Sequence, residues 1–431
     1  MNFLASDALR GRGSATPDER VAATYIASEL EQYGVEPSGD KGQYLEAVPV
    51  IRRKISKAPQ LQFTLPGASA PVEWTHGGDI VVMQVGRGSA SGPLQKVEVG
   101  AGNAVQKDAF VLLSASPGQP ALTRADAEKV AGQGAAVVMM AETARLRARW
   151  KDAEQALFSE KVEAASAQGD AADKAGIVVL SKSAFEQMLA LADGLEIRLD
   201  APEDAPQKTF TYNVIGKIKG TNPAPSAIVF GAHLDHLGVA SEADGTFYSG
   251  ADDDASGVAA VLELARVLGR GPKPKRTVLF ALFGSEELGG LGSTYFAEHP
   301  PVPLSQIAAE LEFEMIGRPD PAVPADTLWL TGWPRSNLGP TLKAHGAKLT
   351  GDPHPEQNFF RRSDNYWLAE RGVVAETISS YGLHADYHQV TDKVDKIDFK
   401  HMDRAIGSLL GPLQWLVNAS IRPKWNPGGQ P

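Results

Sequence analysis

The stretch between residues 226 and 284 decides the fold. It begins with the apolar run "SAIVFGAH" (226–233), continues through "SGVAAVLELARVLG" (256–269) and ends with "RTVLFALFG" (276–284). The two apolar runs are typical of buried strands, and the segment between them has the period of an amphipathic helix that Gly269 is expected to end. A strand, a helix and a second strand at this spacing predict a right-handed crossover in a largely parallel sheet.

Potential ligands follow both predicted strands. His233 and Asp235 come at the end of the first, and Glu286 and Glu287 come after the second. Open α/β sheets bind ligands beyond the carboxyl ends of their strands, so these side chains are expected to lie close together. Neighbouring residues on extended chain point in different directions, and the glutamate pair therefore suits a metal ligand beside a general base.

Three further motifs supply acidic and imidazole groups. They are "GADDDASG" (250–257) at the start of the helix, "ELEFEMIG" (310–317) and "HADYHQVTD" (384–392). The first lacks the spacing of an EF-hand loop. For Glu310 and Glu312 in the second, a solvated strand edge is the simpler interpretation. His384 and His388 in the third have the spacing of a zincin pair, but the glutamate that would follow the first histidine is absent.

Composition limits the function further. The 431 residues suggest two domains, and the net charge of -10 without a basic run argues against a nucleic-acid partner. No stretch has the ~20 apolar residues that would span a membrane. Because the chain has no cysteine, a metal must bind through His, Asp and Glu.

Changes in amino-acid composition along the chain predict a discontinuous domain. Composition changes to Gly, Ala, Ser and short apolar runs near Thr75, and it changes again beyond Pro206. Residues 1–75 and 207–431 are therefore expected to form one domain around an insertion of residues 76–206. Near the start, "TPDERVAATYIASELEQYG" (16–34) reads as a helix with Thr16 as its N-cap and Glu19 completing a capping box.

Five motifs in order carry a resemblance to a known family. "GAHLDH", "GADDDASG", "FGSEELGGLGS", "EFEMIG" and "YHQVTD" together resemble the zinc aminopeptidases of peptidase family M28, relatives of bacterial leucine aminopeptidases and of glutamate carboxypeptidase. The opening "LASDALRGRGSATPDERVAATYIASELEQYGVEP" and the middle segment are similar to members with an inserted protease-associated domain. The resemblance implies the α/β zinc-exopeptidase fold, with a mixed, largely parallel central sheet flanked by helices and a smaller inserted domain.

The same resemblance implies a role for each motif residue. Asp253 would bridge two zinc ions and be followed by a cis peptide bond. The other metal ligands would be His233 and Glu314 on one ion and Glu287 and His388 on the other. The remaining roles would fall to Glu286 as general base, Tyr387 as donor to the oxyanion and Asp235 as the residue that orients His233. The chain departs from the family at Glu314, where Asp is usual, and at Asn365, where His commonly follows Ser-Asp.

These residues predict a dimetal exopeptidase that removes N-terminal residues from peptides. Two alternatives stay open: a single-zinc acyltransferase of the glutaminyl-cyclase type, which the departure at Glu314 leaves possible, and a non-catalytic protein of the transferrin-receptor type. Arg361 and Arg362 could hold a substrate carboxylate, although exposed surface arginines are the simpler interpretation. The family is often exported, and the abrupt start at Met1 suggests a removed leader, so a periplasmic or secreted location is expected.

Overall fold

The chain folds into two compact units. The computed structural model describes residues 1–431 apart from 87, 101, 103, 117, 119, 166–174 and 223–225. One unit combines Met1–Val50 with Thr209–Pro431, and the other is Ile51–Lys208. The residues before and after the second unit in sequence therefore belong to the same compact unit.

The first unit is built on a mixed sheet. Its central strands are β1 (Ala227–His233), β2 (Thr277–Phe283), β3 (Ile307–Phe313) and β4 (Ala375–Ser379). In spatial order the sheet runs Leu349–Gly351, Leu328–Leu330, β4, β3, β1, β2, Gln207–Ile218 and Leu45–Arg53, and Glu36–Pro37 pairs beside Gln207–Ile218. The four central strands are parallel, whereas Gln207–Ile218 runs antiparallel to β2. The expected mixed, largely parallel sheet is confirmed.

Helices cover this sheet. The two that concern the site are α1 (Pro17–Gln32) and α2 (Ala255–Arg270). The others are Leu291–Glu298, Leu338–Ala344, Asn365–Glu370 and Phe399–Asn418, and a hairpin pairs Gly238–Ser241 with Thr246–Tyr248. The predicted crossover is thus β1, α2 and β2, which brings the carboxyl ends of the parallel strands to one edge.

Two local predictions about these helices were wrong. Helix α2 continues past Gly269 to Arg270, and Gly269 instead lies where an added Cβ would overlap the carbonyl group of Tyr33. The hydroxyl of Thr16 accepts from the Glu19 amide at 3.4 Å, as an N-cap should. The Glu19 carboxylate, however, accepts from the Thr211 hydroxyl at 2.6 Å, because this part of α1 is packed against the sheet rather than open to solvent.

Strand β3 lies inside the sheet between β1 and β4, so the expected solvated edge was wrong. Glu310 and Glu312 are both fully buried, and residues two apart on a strand share a face. The neighbouring strand leaves room for them at Gly231, where an added Cβ would overlap the Glu312 carboxylate. Burial raises the pKa of Glu310 to about 8, and burial and Glu310 together raise that of Glu312 well above its ordinary value.

We expect Glu310→Gln to stabilise the metal-free protein at neutral and alkaline pH. Folding raises the pKa of the Glu310 carboxyl group. Its contribution to the free energy of unfolding is therefore fully present below the pKa of the unfolded chain and is lost as pH rises toward 8. The amide does not titrate, so the gain in the free energy of unfolding should grow from nothing near pH 4 to roughly 2 kcal/mol at pH 7.

Urea unfolding at pH 4, 7 and 8 measures this difference, with the exposed Glu31→Gln as the control. A gain for Glu310→Gln that is the same at all three pH values would contradict the assignment of a protonated, buried Glu310.

The second unit has a separate eight-stranded sheet. Its strands in spatial order are Val72–Thr75, Gln60–Phe63, Glu196–Asp200, Ser89–Glu98, Phe110–Ser114, Val137–Ala141, Gly176–Leu180 and Ile80–Gln84. The unit also contains the strand Lys161–Ala164 and the helices Arg124–Ala131, Ala144–Ala148, Trp150–Phe158 and Lys182–Ala190. The unit begins at Ile51, 24 residues before Thr75, because the strands between these two positions pair into this sheet.

The two ends of the second unit meet. The Asp204 amide donates to the Lys54 carbonyl at 2.9 Å, and Arg53 lies 3.3 Å from the Glu203 carboxylate. The chain therefore enters and leaves this unit at one place. Across the described ranges of both units, none of the helices has the length and apolar character needed to cross a membrane.

Candidate metal centre

The predicted ligands converge at the carboxyl edge of the parallel strands. His233 ends β1, Asp253 lies just before α2, and Glu287 follows β2. Glu314 follows β3, and His388 lies in the segment after β4. The parallel register of these strands thus carries side chains 155 positions apart in sequence to one place, as His233 and His388 illustrate.

Two groups of potential metal ligands share Asp253. The first contains His233, Asp253 and Glu314, whose ligand atoms lie within 4.8 Å of one another. The His233 Nε2 atom lies 3.1 Å from Asp253 Oδ1, and both side chains are almost fully buried. Glu314 therefore belongs to this group. Its side chain is longer than that of the Asp that is usual at this position in the family.

The second group contains a histidine that the sequence analysis missed. His236, Asp253 and Glu287 form it, with His236 Nδ1 2.6 Å from Glu287 Oε1. His388 approaches the same carboxylates, since its Nε2 atom lies 3.2 Å from Asp253 Oδ2 and 3.1 Å from Glu287 Oε2. The signal for His236 was its place three residues after His233 in "GAHLDH".

The three consecutive aspartates have different partners. Asp254 caps α2 by accepting from the Gly257 amide at 3.0 Å, and Asp252 accepts from the Gly317 amide at 2.8 Å. Only Asp253 faces both histidine groups, and the bond that follows it is cis, as expected. The His384 Nε2 atom donates to the Asp252 carboxylate at 2.9 Å and belongs to neither ligand group, so His384 does not pair with His388 in the way that the zincin-like alternative requires.

The charges at this centre favour cation binding. Burial alone would lower the pKa of His388, but hydrogen bonds to Asp253 and Glu287 outweigh it and raise the pKa to about 10. Burial would likewise raise the pKa of Asp253, yet the surrounding histidines hold it well below its usual range. Without a metal, protonated imidazoles therefore neutralise these carboxylates, and metal ions would take their place.

Unpaired atoms provide a second test of whether zinc fits. His236 Nε2 is buried without a hydrogen bond, whereas His233 Nε2 and Asp253 Oδ2 have only the histidine–carboxylate contacts described above. Buried polar atoms are normally paired, and imidazole nitrogens with carboxylate oxygens are the donor set that Zn²⁺ accepts in proteins. The residues present thus fit a zinc centre.

Asp235 holds the turn that carries the two glutamates. Its Oδ1 atom accepts from the Glu286 amide at 3.0 Å, and its Oδ2 atom lies 3.4 Å from the Glu287 amide. Its carboxylate is 3.7 Å from His233 Nδ1, farther than the 3.3 Å from that nitrogen to the Asp235 carbonyl. The Asp235 carboxylate therefore contacts His233, which it was predicted to orient, more weakly than it contacts the backbone of the glutamate turn.

Glu286 lies beside both groups without joining either. Burial raises its pKa well above the ordinary value, and the carboxylates of Asp364 and Glu314 raise it further. Such a group is poised to hold and release a proton once nearby positive charge lowers that pKa.

A pocket lined by aromatic rings opens next to Glu314. Its walls include Trp329, Phe359, Tyr381 and Tyr387, and Arg362 lies at the same pocket. The Arg362 guanidinium donates to the Tyr387 hydroxyl at 3.3 Å. Thr331, Thr377 and Ser379 add hydroxyl groups to the lining.

The second departure from the family has a structural explanation. Asn365 is fully buried, where it donates to the Ala375 carbonyl at 3.2 Å and accepts from the Thr377 hydroxyl at 2.9 Å. It therefore ties a helix to β4 and contributes no group to the metal centre. Arg361 stays exposed, with its guanidinium over the ring of Tyr366.

Solved structures share the fold. An aminopeptidase from Aneurinibacillus sp. strain AM-1 superposes with a TM-score of 0.59 and 20% identity, covering 99% of this chain and 92% of its own. A zinc aminopeptidase from Bacillus subtilis superposes with a TM-score of 0.54 and 19% identity, covering 97% and 94%. At this identity the likeness establishes the fold.

Sequence comparison adds the family. The probable lipoprotein aminopeptidase LpqL of Mycobacterium tuberculosis is 30% identical over 256 residues, which are 52% of this chain and 49% of that protein. The chain spans half or less of the length of the curated relatives that it matches. The family model of peptidase family M28 matches residues 213–410, the range that holds every residue of both ligand groups. Residues 213–410, just under half of the chain, thus match peptidase family M28.

Proposed function

We propose that this protein is a dimetal zinc exopeptidase that hydrolyses the N-terminal residue from peptides. The observation that carries the proposal is the sharing of Asp253 by two histidine–carboxylate groups at one edge of the sheet. A single carboxylate with one group on each side suits a pair of divalent ions. The family and the names of its aminopeptidase relatives support a peptide as the substrate.

The first metal site would use His233, Asp253 and Glu314. The second would use Asp253 and Glu287 with His388, and His236 is a further donor within reach. When bound, the zinc ions would make water more acidic and polarise the scissile carbonyl group.

Glu286 would move the proton. Its side chain lies beside both groups but belongs to neither, so its carboxylate is free to take a proton from the attacking water and to deliver it to the leaving amine. Asp235 supports this role by fixing the Glu286 amide.

Tyr387 would stabilise the negative oxygen of the tetrahedral intermediate. Its ring stacks on His388 with centroids 3.9 Å apart, and it lines the pocket together with Glu314. Burial raises the pKa of Tyr387 above its ordinary value, so the hydroxyl keeps its proton at neutral pH and can donate.

The aromatic pocket would receive the side chain of the N-terminal residue. The rings of Trp329 and Phe359 stack with centroids 5.5 Å apart, and a lining of this kind favours an apolar side chain. The insertion as a protease-associated domain and the location outside the cytoplasm stay predictions, and the lipoprotein name of one relative is compatible with the second.

Substrate choice and metal content test the proposal together. We expect two zinc ions per chain and cleavage of leucine anilide at least ~10-fold faster than cleavage of its N-acetyl form, because an exopeptidase site must recognise the free amine. Elemental analysis and release of the anilide measure both. One zinc with cyclisation of an N-terminal glutaminyl peptide would favour the acyltransferase alternative, and full zinc without any turnover would favour the receptor-like one.

A further inference from the structure

The chain just before and at the start of α1 lies against three loops of the metal centre. This segment, residues 10–19 with the sequence "RGRGSATPDE", is called the brace segment below. It belongs to the same compact unit as the metal centre, although at least 214 residues separate it in sequence from His233. Arg12, Ser14 and Glu19 in the brace segment each contact a different part of the centre.

Arg12 is buried with all of its donors in use. Its guanidinium donates to the carbonyl groups of Leu4, Leu234, Ser249, Gly250 and Asp253 at 2.6 to 3.2 Å. An arginine has five N–H donors, and five bonds are made here. Four of the five carbonyl groups belong to the loop that leads into Asp253 or to the residue that follows His233, so Arg12 fixes the backbone on both sides of the first metal group.

Ser14 reaches the glutamate turn through Asp235. Its hydroxyl donates to Asp235 Oδ2 at 2.5 Å, and its amide donates to the His236 carbonyl at 3.2 Å. Because Asp235 in turn accepts from the Glu286 amide, Ser14 restrains the carboxylate that holds this turn.

Glu19 contacts the same turn from the other side. Its carboxylate accepts from the Ser285 amide at 3.1 Å and from the Thr211 hydroxyl at 2.6 Å. Ser285 has a φ of 54°, a conformation that costs free energy for a residue other than glycine and persists only where neighbours hold it. Glu19 is one of those neighbours.

Glycines let the brace segment lie this close. Gly11 has a φ of 76°, and an added Cβ there would overlap the carbonyl groups of Gly238 and Tyr248. A Cβ on Gly13 would lie 3.0 Å from Gly238 Cα. Backbone hydrogen bonds complete the contact, from the His236 amide to the Arg12 carbonyl and from the Gly238 amide to the Gly11 carbonyl, both at 3.1 Å.

We propose that the brace segment is a positioning element of the metal centre, in which Arg12 sets the separation of His233 and Asp253 and thereby the affinity for zinc. This inference rests on the proposed zinc function. Arg12 acts through backbone carbonyl groups and touches no substrate atom, so it is a positioning residue. Partners of this kind that orient ligands typically change metal affinity by about 10- to 100-fold when they are removed.

The charge of Arg12 makes the proposal sharply testable. A buried positive charge close to Asp253 opposes a cation, so its removal in Arg12→Met should strengthen zinc binding if charge alone mattered. If positioning dominates, Arg12→Met weakens zinc binding in spite of the lost repulsion. Arg12→Lys keeps the charge but has only three donors, and it should also bind zinc more weakly.

The experiment measures zinc affinity of the full chain by competition with a chelating indicator, beside the melting temperature of the metal-free protein. We expect the dissociation constant to rise by about 10- to 100-fold in Arg12→Met and Arg12→Lys and to stay unchanged in Arg20→Met, whose side chain is exposed on α1. If the wild-type protein binds zinc and both Arg12 variants bind it equally well or more tightly, the inference about the brace segment is wrong. The proposed function is not affected by that result.

A second variant keeps the test decisive if Arg12 variants do not fold. Ser14→Ala removes one hydroxyl at a half-buried position, and it should weaken zinc binding through Asp235 whereas Ser14→Thr restores it. Unchanged affinity in Ser14→Ala contradicts the brace. Absence of zinc binding by the wild-type protein contradicts the proposed function instead.

Discussion

We expect Glu286→Gln to lower turnover by at least ~100-fold while the protein keeps its full zinc content, because the amide cannot accept the proton from water. The side chain belongs to neither ligand group, so the variant should bind both ions as the wild type does. Steady-state hydrolysis of leucine anilide and elemental analysis of the same preparation measure the two quantities.

The neighbouring residue supplies the matched control. Glu287→Gln should reduce zinc content, since Glu287 lies 2.6 Å from His236 and 3.1 Å from His388. We expect Glu286→Gln to lose activity and keep its zinc, and Glu287→Gln to lose activity together with zinc. This result would distinguish the roles of the two adjacent carboxylates. Near-normal turnover in Glu286→Gln removes that residue from its proposed role.

Asp253→Asn should abolish activity by emptying both metal sites. The residue is shared by the two groups, and replacing a carboxylate by an amide takes one negative charge from each. We expect zinc content to fall below one ion per chain and turnover to fall by more than ~1,000-fold, a loss larger than that caused by removing the general base alone.

Titration with zinc under identical conditions measures the change, with the exposed Asp244→Asn as the control. A variant that still binds two zinc ions with wild-type affinity would show that Asp253 is not shared between them. The proposed function would then lose the observation that carries it.

The sequence indicates those parts of the centre that depend on strands and helices recognisable from neighbouring residues. Strands β1 and β2 with α2 between them could be recognised from apolar period and length, and parallel strands must bring their carboxyl ends to one edge. For that reason His233 and Glu287 could be expected at one edge from the strands alone, whereas the choice of Asp253 among three aspartates came from the resemblance.

Other features depend on which strands become neighbours, and a single sequence does not show that. Glu310 and Glu312 look like solvent-facing residues until β3 is found between β1 and β4, where Gly231 makes room for them. His236 was missed for the same kind of reason, because its approach to Glu287 depends on two loops meeting. The start of the second unit differed because pairing of Gln60–Phe63 depends on a strand 133 residues later in the chain.

The meeting of Lys54 with Asp204 bears on how such a protein could change in evolution. A segment whose two ends are already hydrogen-bonded to each other near its boundaries can be gained, lost or exchanged as one piece, and a short turn would be enough to rejoin the flanking strands. Descendants of this chain could therefore acquire a different domain at that position while the larger mixed sheet, and the candidate metal ligands at its edge, were inherited unaltered.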